Sequence, residues 1–109
     1  MSESPLMLKS KLFALEVIQA CKVLREAKCE SALINQFLRS GTSIGANIRE
    51  AFYAHGRADF IAKLQIALKE SNETGYWLDL LHHTNYISEN EYNAFNSACT
   101  SIRVMLIAS

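Results

Sequence analysis

Apolar residues recur along this chain at alternating intervals of three and four, the spacing that lines one face of an α-helix, and no stretch shows sustained residue-by-residue alternation with β-branched side chains. The clearest run is Ile34, Phe37, Gly41, Ile44, Ile48 and Ala51, which predicts a helix that begins close to Ser31 and stops before Gly56. Phe60, Leu64, Ala67, Ser71, Thr74, Leu78 and Leu81 predict a long helix over roughly residues 57–84, with Gly56 and Asp59 in the places of a capping pair. Tyr92, Phe95, Cys99, Ile102 and Leu106 predict a last helix. It opens on Ser88-Glu89-Asn90-Glu91, a capping box with Ser at N-cap and Glu at N3. The first helix is predicted to start after Ser4 as N-cap, with Pro5 in the first helical position, and to end near Lys28. Its apolar face runs Leu8, Leu12, Leu15, Ile18 beside Phe13, Val17, Ala20, Leu24.

With connections this short, sequential helices lie antiparallel. The expected fold is an all-α, up-down-up-down four-helix bundle, one domain over residues 1–109 with both termini at one end. The third helix has more apolar surface than one seam needs. Ile66, Trp77 and Leu80, with Tyr76 adjacent, form a stripe rotated away from the Phe60 to Leu81 seam. A Trp-centred stripe is seldom left in water, so these residues are the expected homo-oligomer interface, the alternative being cover by helix ends.

Composition narrows the class. The chain is 50% hydrophobic and 20% charged, too apolar for a disordered chain, and no apolar run approaches the ~20 residues that span a bilayer. The opening Met-Ser-Glu-Ser-Pro lacks the basic and apolar regions of a secretory signal, which points to the cytoplasm. Cys21, Cys29 and Cys99 are odd in number, form no C-x-x-C pair and sit among apolar neighbours, as structural thiols do.

Net charge is zero, but its distribution in the expected bundle is uneven. One end gathers Lys9, Lys11, Arg49, Arg57, Lys63 and Arg103 against Glu3, Glu50 and Asp59. The other sets Arg25 and Lys28 against Glu26, Glu30, Asp79, Glu89 and Glu91. A ring of such subunits in parallel adds its basic ends into one rim able to contact several phosphates, with Arg49, Arg57 and Lys63 as the candidate nucleic-acid contacts.

Other patterns carry less chemistry. Gly41-Thr42-Ser43-Ile44-Gly45 satisfies the G-x-S-x-G nucleophile elbow on paper, but that elbow needs a strand-to-helix turn in a large sheet. Here the glycines continue a helical seam, where four-residue spacing lets a neighbouring backbone approach. Asp79-x-x-His82 beside His83 is half of a bundle metal motif at most, and His55 near a glycine turn reads as solvated. No phosphate-cradling loop occurs, and no concave feature is evident around any carboxylate pair. The chain is therefore expected to be no enzyme and to take no cofactor, metal or small-molecule substrate.

Arg39-x-x-Thr42-Ser43-Ile44-x-Ala46-Asn47-Ile48-x-Glu50 is followed by Asp59-Phe60-Ile61-x-x-Leu64-x-Ile66-Ala67-Leu68-Lys69-Glu70-Ser71-Asn72-Glu73-Thr74-x-Tyr76-Trp77-Leu78. These runs, with Tyr86-Ile87-Ser88 also in place, resemble the four-helix bundle proteins encoded in bacterial 23S rRNA intervening sequences, also called the S23 ribosomal protein family. The resemblance is close over residues 36–88 and looser over the first helix. It implies an antiparallel bundle assembling as a pentameric ring. It is similar also to the accessory protein of diversity-generating retroelements, a ring that engages reverse transcriptase and RNA. Many members of the family have a proline where Gly45 stands and a glycine where Ala51 stands, so the helix-two kink these imply is softened here. Asn47 and Glu50 fall on family positions and read as packing and hydrogen-bonding residues that could partner one another.

Two functions follow as expectations. The first is a non-enzymatic oligomeric scaffold whose basic rim contacts RNA or a nucleic-acid enzyme. The alternative is a protein–protein adaptor or assembly element without nucleic-acid affinity, its apolar stripe committed to itself or a partner helix.

Overall fold

The computed structural model describes residues 4–108, and Glu3 of the expected basic end lies outside them. Four helices occupy nearly all of that length: α1 Pro5–Glu26, α2 Ser31–Phe52, α3 Arg57–His83 and α4 Glu89–Ala108. The described residues contain no strand. They form a rod of 44 × 23 × 22 Å. Each helix packs on its neighbours in sequence and α1 closes on α4, while the diagonal pairs α1 with α3 and α2 with α4 make no backbone contact. The α2–α3 seam is the most extensive and the α1–α4 seam the least.

The starts follow from local chemistry. Ser4 Oγ accepts from the Met7 N–H at 3.0 Å, with Pro5 inside the first turn, where its missing N–H costs nothing. At α4 the capping box closes reciprocally: the Glu91 N–H donates to Ser88 Oγ at 3.1 Å and the Ser88 N–H to Glu91 Oε1 at 2.7 Å.

Helix α1 stops two residues short of Lys28 for a backbone reason. Lys28 has φ 59°, the Cys29 N–H reaches the Leu24 carbonyl and the Lys28 N–H that of Arg25, both at 3.0 Å. This is a Schellman ending with lysine where glycine usually stands, and Cys29 folds back beside buried Leu24. Helix α3 ends the same way on Asn85, φ 65°, a residue that tolerates the left-handed region better.

The core takes the predicted seams of α2 and α3 almost whole, and Phe95 of α4 meets Phe13 and Phe37 edge-on at centroid distances of 6.0 and 5.8 Å. Gly41 and Gly45 face α1: a Cβ on Gly41 would stand 2.9 Å from a Val17 methyl, and one on Gly45 3.3 Å from the Ser10 carbonyl. The G-x-S-x-G run thus lies inside a helix at a close helix crossing, with no elbow turn. Buried Ser10, Ser40, Ser71 and Thr74 each donate to a carbonyl of their own helix, so none is left unpaired.

On α1 the structure corrects the sequence reading. Leu6, Ser10, Phe13, Val17, Cys21 and Leu24 are buried, whereas Leu8, Leu12, Leu15 and Ile18 stand exposed, Leu12 and Leu15 at 50% each. Residues two apart are turned by about 200° around a helix, so Phe13 and Leu15 face opposite ways and one chain cannot bury both. The side that faces Gly41 and Gly45 is the one that packs.

Candidate functional site

The end formed by the last turn of α2, the turn to α3 and the first turns of α3 holds the three candidate nucleic-acid contacts, but in different states. Arg49, in the last turn of α2, suits the negative end of the helix dipole and is exposed. Its guanidinium stands over the ring of Tyr53, 5.9 Å from the centroid. Arg57 opens α3, where the dipole disfavours a cation; it is exposed and has no ion-pair partner among the described residues. A charge placed against the dipole and left without an ion-pair partner contributes little to folding. Lys63 differs: its Nζ lies 3.5 Å from Glu50 Oε1, so much of its charge is already answered.

Two further expectations about charge change. Arg103 turns away from this end, its Nη2 donating to Thr100 Oγ1 at 3.1 Å and its head lying beside Gly75. Asn47 donates to the Ser43 carbonyl at 2.9 Å and Glu50 pairs with Lys63, so the two are not each other's partners.

The turn also exposes aromatic rings that charge counting passed over. Tyr53 is 62% exposed and Phe52 43% exposed, the latter held edge-on by Phe60 at 5.9 Å. Beside them a groove of about 240 Å³ runs between α1 and α2, walled by Met7, Ala14, Thr42 and Ala46 and flanked by Lys11 and Arg49. Neither cation has a carboxylate partner among the described residues. Gly45 is part of its lining and adds no side chain to fill it. Basic residues interleaved with aromatics at a turn were the available signal, since Arg49, Phe52, Tyr53 and Arg57 lie within nine residues of sequence.

Of the predicted oligomer stripe, Ile66 and Tyr76 are exposed, at 40% and 56%, while Trp77 and Leu80 are half-buried. Tyr76 packs edge-on against Trp77 at 5.1 Å, and Trp77 Nε1 is buried without a hydrogen-bond partner. The larger uncovered stripe is the one on α1.

No metal set forms: among the described residues no three His, Cys, Asp or Glu side chains converge. His83 Nδ1 lies 3.2 Å from the Asp79 carboxylate and His82 stacks on Tyr92 at 4.5 Å, which employs both rings in ending α3. His55 is exposed. Burial pushes all three thiols above their ordinary range, with Arg25 partly offsetting this at Cys21 and Arg103 at Cys99, while the Glu30 charge adds to it at Cys29. No helix among the described residues is long and apolar enough to cross a membrane.

Residues 3–108 match the family model of the 23S rRNA-intervening sequence protein. The chain belongs to that family. It is similar, with 50% identity and a TM-score of 0.92 over 94% of this chain and 95% of the other, to a crystal structure from Bacteroides thetaiotaomicron, a protein of unknown function from the S23 ribosomal protein family. Comparison with curated proteins found no match.

Seen in this member of the 23S rRNA-intervening sequence protein family, the motif residues are joints of the bundle. Arg39 Nη1 donates to Glu70 Oε2 at 3.1 Å, its Nη2 pairs with Glu73, and its Nε donates to Gln36 Oε1 at 3.3 Å. The fork spans the α2–α3 seam and holds two carboxylates one turn apart.

Proposed function

We propose that this chain is a non-catalytic, self-assembling bundle whose basic end binds RNA. The observation that carries the reading is the pair Arg49 and Arg57, both exposed and without a carboxylate partner among the described residues, on an end that also exposes Phe52 and Tyr53. A single subunit presents few such groups and binds a polyanion weakly, whereas several side by side reach useful affinity at physiological salt.

The bundle is read as antiparallel up-down-up-down. Partners that rise along one helix and fall along the next support this: Ser10 by Gly45 and Val17 by Gly41, then Arg39 with Glu70 and Glu50 with Lys63, then Ser71 with Cys99 and His82 with Tyr92. The assembly is read as a pentameric ring, the arrangement the family resemblance implies. Two unlike apolar surfaces, the α1 stripe and the Ile66–Tyr76 surface of α3, lie on helices that make no backbone contact with one another, which suits head-to-tail contacts and ring closure. Free, buried thiols suit a reducing compartment, and we place the protein in the cytoplasm.

The adaptor reading has one observation in its favour, the exposed Leu8, Leu12, Leu15 and Ile18, which a partner helix would also fit. Self-association accounts for the same stripe. Fluorescence anisotropy of a labelled RNA separates the readings. Arg49→Glu with Arg57→Glu is expected to abolish salt-sensitive binding while the assembly keeps its mass, and wild-type protein that ignores RNA at low salt selects the adaptor.

A further inference from the structure

The groove between α1 and α2 and the ring of Tyr53 form one continuous feature, because Arg49 belongs to both: it flanks the groove and stands 5.9 Å from the Tyr53 centroid. The guanidinium stands over the phenol ring and the residue is 62% exposed, which leaves much of the ring in solvent. Tyr53 is the C-cap of α2, and its N–H, donating to the Glu50 carbonyl at 3.2 Å, holds the backbone beneath it. The ring is therefore presented from a fixed backbone, mostly in solvent and with Arg49 against it. Lys11 on the groove's other side supplies a second cation without a carboxylate partner among the described residues.

We propose that this feature binds single-stranded RNA in preference to duplex, one base stacking on the exposed ring of Tyr53 and the neighbouring phosphates lying on Arg49 and Lys11. The inference rests on the RNA-binding reading and adds to it the form of RNA bound. Two opposed chemistries side by side carry it. Cations alone fit any polyanion, but an exposed aromatic face fits a base that has left its stack, and an A-form duplex offers none along its length. The apolar groove walls suit the sugar and base edges of the same strand, while the two cations complement its charge.

The test measures fluorescence anisotropy with three probes: a single-stranded oligouridine of about 12 nucleotides, a duplex RNA of the same length, and heparin as a polyanion without bases. Proteins are the wild type, Tyr53→Leu and Lys11→Gln, each shown by circular dichroism to keep its helix content. The expected result is tighter binding of the single strand than of the duplex. Tyr53→Leu then weakens the single strand by about fivefold or more and leaves heparin unchanged. Lys11→Gln lowers the salt dependence for all probes by about one ionic contact per subunit engaged, to a phosphate of either RNA or a sulfate of heparin. If Tyr53→Leu binds the single strand as wild type does, the stacking proposal is overturned while the polyanion reading stands. If no probe binds at low salt, both fall together.

Discussion

Lys63 of α3 reaches back to Glu50 of α2, its Nζ 3.5 Å from the carboxylate, while Arg57, six residues earlier on the same helix, has no such partner among the described residues. The two cations therefore differ in what they offer a phosphate. Lys63→Gln should weaken RNA binding less than Arg57→Gln, and Glu50→Gln should strengthen it by freeing Lys63. Salt-dependent anisotropy on the three variants checks this ranking; equal losses for Lys63 and Arg57 would mean that the ion pair opens freely in solution.

Gly41 is fixed by Val17. A Cβ there would stand 2.9 Å from one Val17 methyl and 3.0 Å from the other, and a β-branched side chain in a helix has little rotamer freedom with which to yield. Gly41→Ala gains about 1 kcal/mol of helix propensity and should still lose stability overall, by about 1–2 kcal/mol, from overpacking. Urea unfolding of Gly41→Ala, Val17→Ala and the double variant should show the double variant more stable than the sum of the single changes predicts.

Lys28 holds a left-handed backbone at φ 59° that glycine adopts without cost. Lys28→Gly should raise unfolding free energy by about 1 kcal/mol, read as a higher urea midpoint at unchanged slope. An unchanged or lower midpoint would show that the Lys28 side chain contributes more than its backbone strain removes.

Cys21, Cys29 and Cys99 are buried and held protonated above the ordinary thiol range. Their folded values are raised, so the stability they confer is present below the ordinary thiol value of about 8.5 and is lost as pH rises towards the raised folded values. Urea midpoints at pH 7 and above pH 9 should therefore fall with pH, and fall less in a Cys21→Ala, Cys99→Ala background. At pH 7 the native thiols should resist a water-soluble thiol reagent until denaturant is added.

Helix starts, the α2 and α3 seams and the capping box were legible because each rests on interactions within a few residues. The glycine pair was legible as a packing device, though its partners Val17 and Ser10 were not, since nothing local says which face of α1 turns inward. That choice lies between two apolar stripes of similar strength, Leu6 to Leu24 and Leu8 to Ile18, and is settled by the close approach at Gly41 and Gly45. At the basic end, Arg49 and Arg57 were legible from charge placement. The pairing of Lys63 with Glu50 and the turning of Arg103 towards Gly75 depend on side-chain reach across helices, which sequence spacing does not record. Tyr53 went unread because a counted charge has no ring.

The measurement that tests the account most directly is light scattering of the purified protein, alone and with a mixed RNA pool, at low and physiological salt. The account predicts a ring-sized multiple of the single-chain mass that rises with RNA at low salt and returns as salt increases. A lone monomer, or an assembly whose mass ignores RNA at every salt, would contradict it.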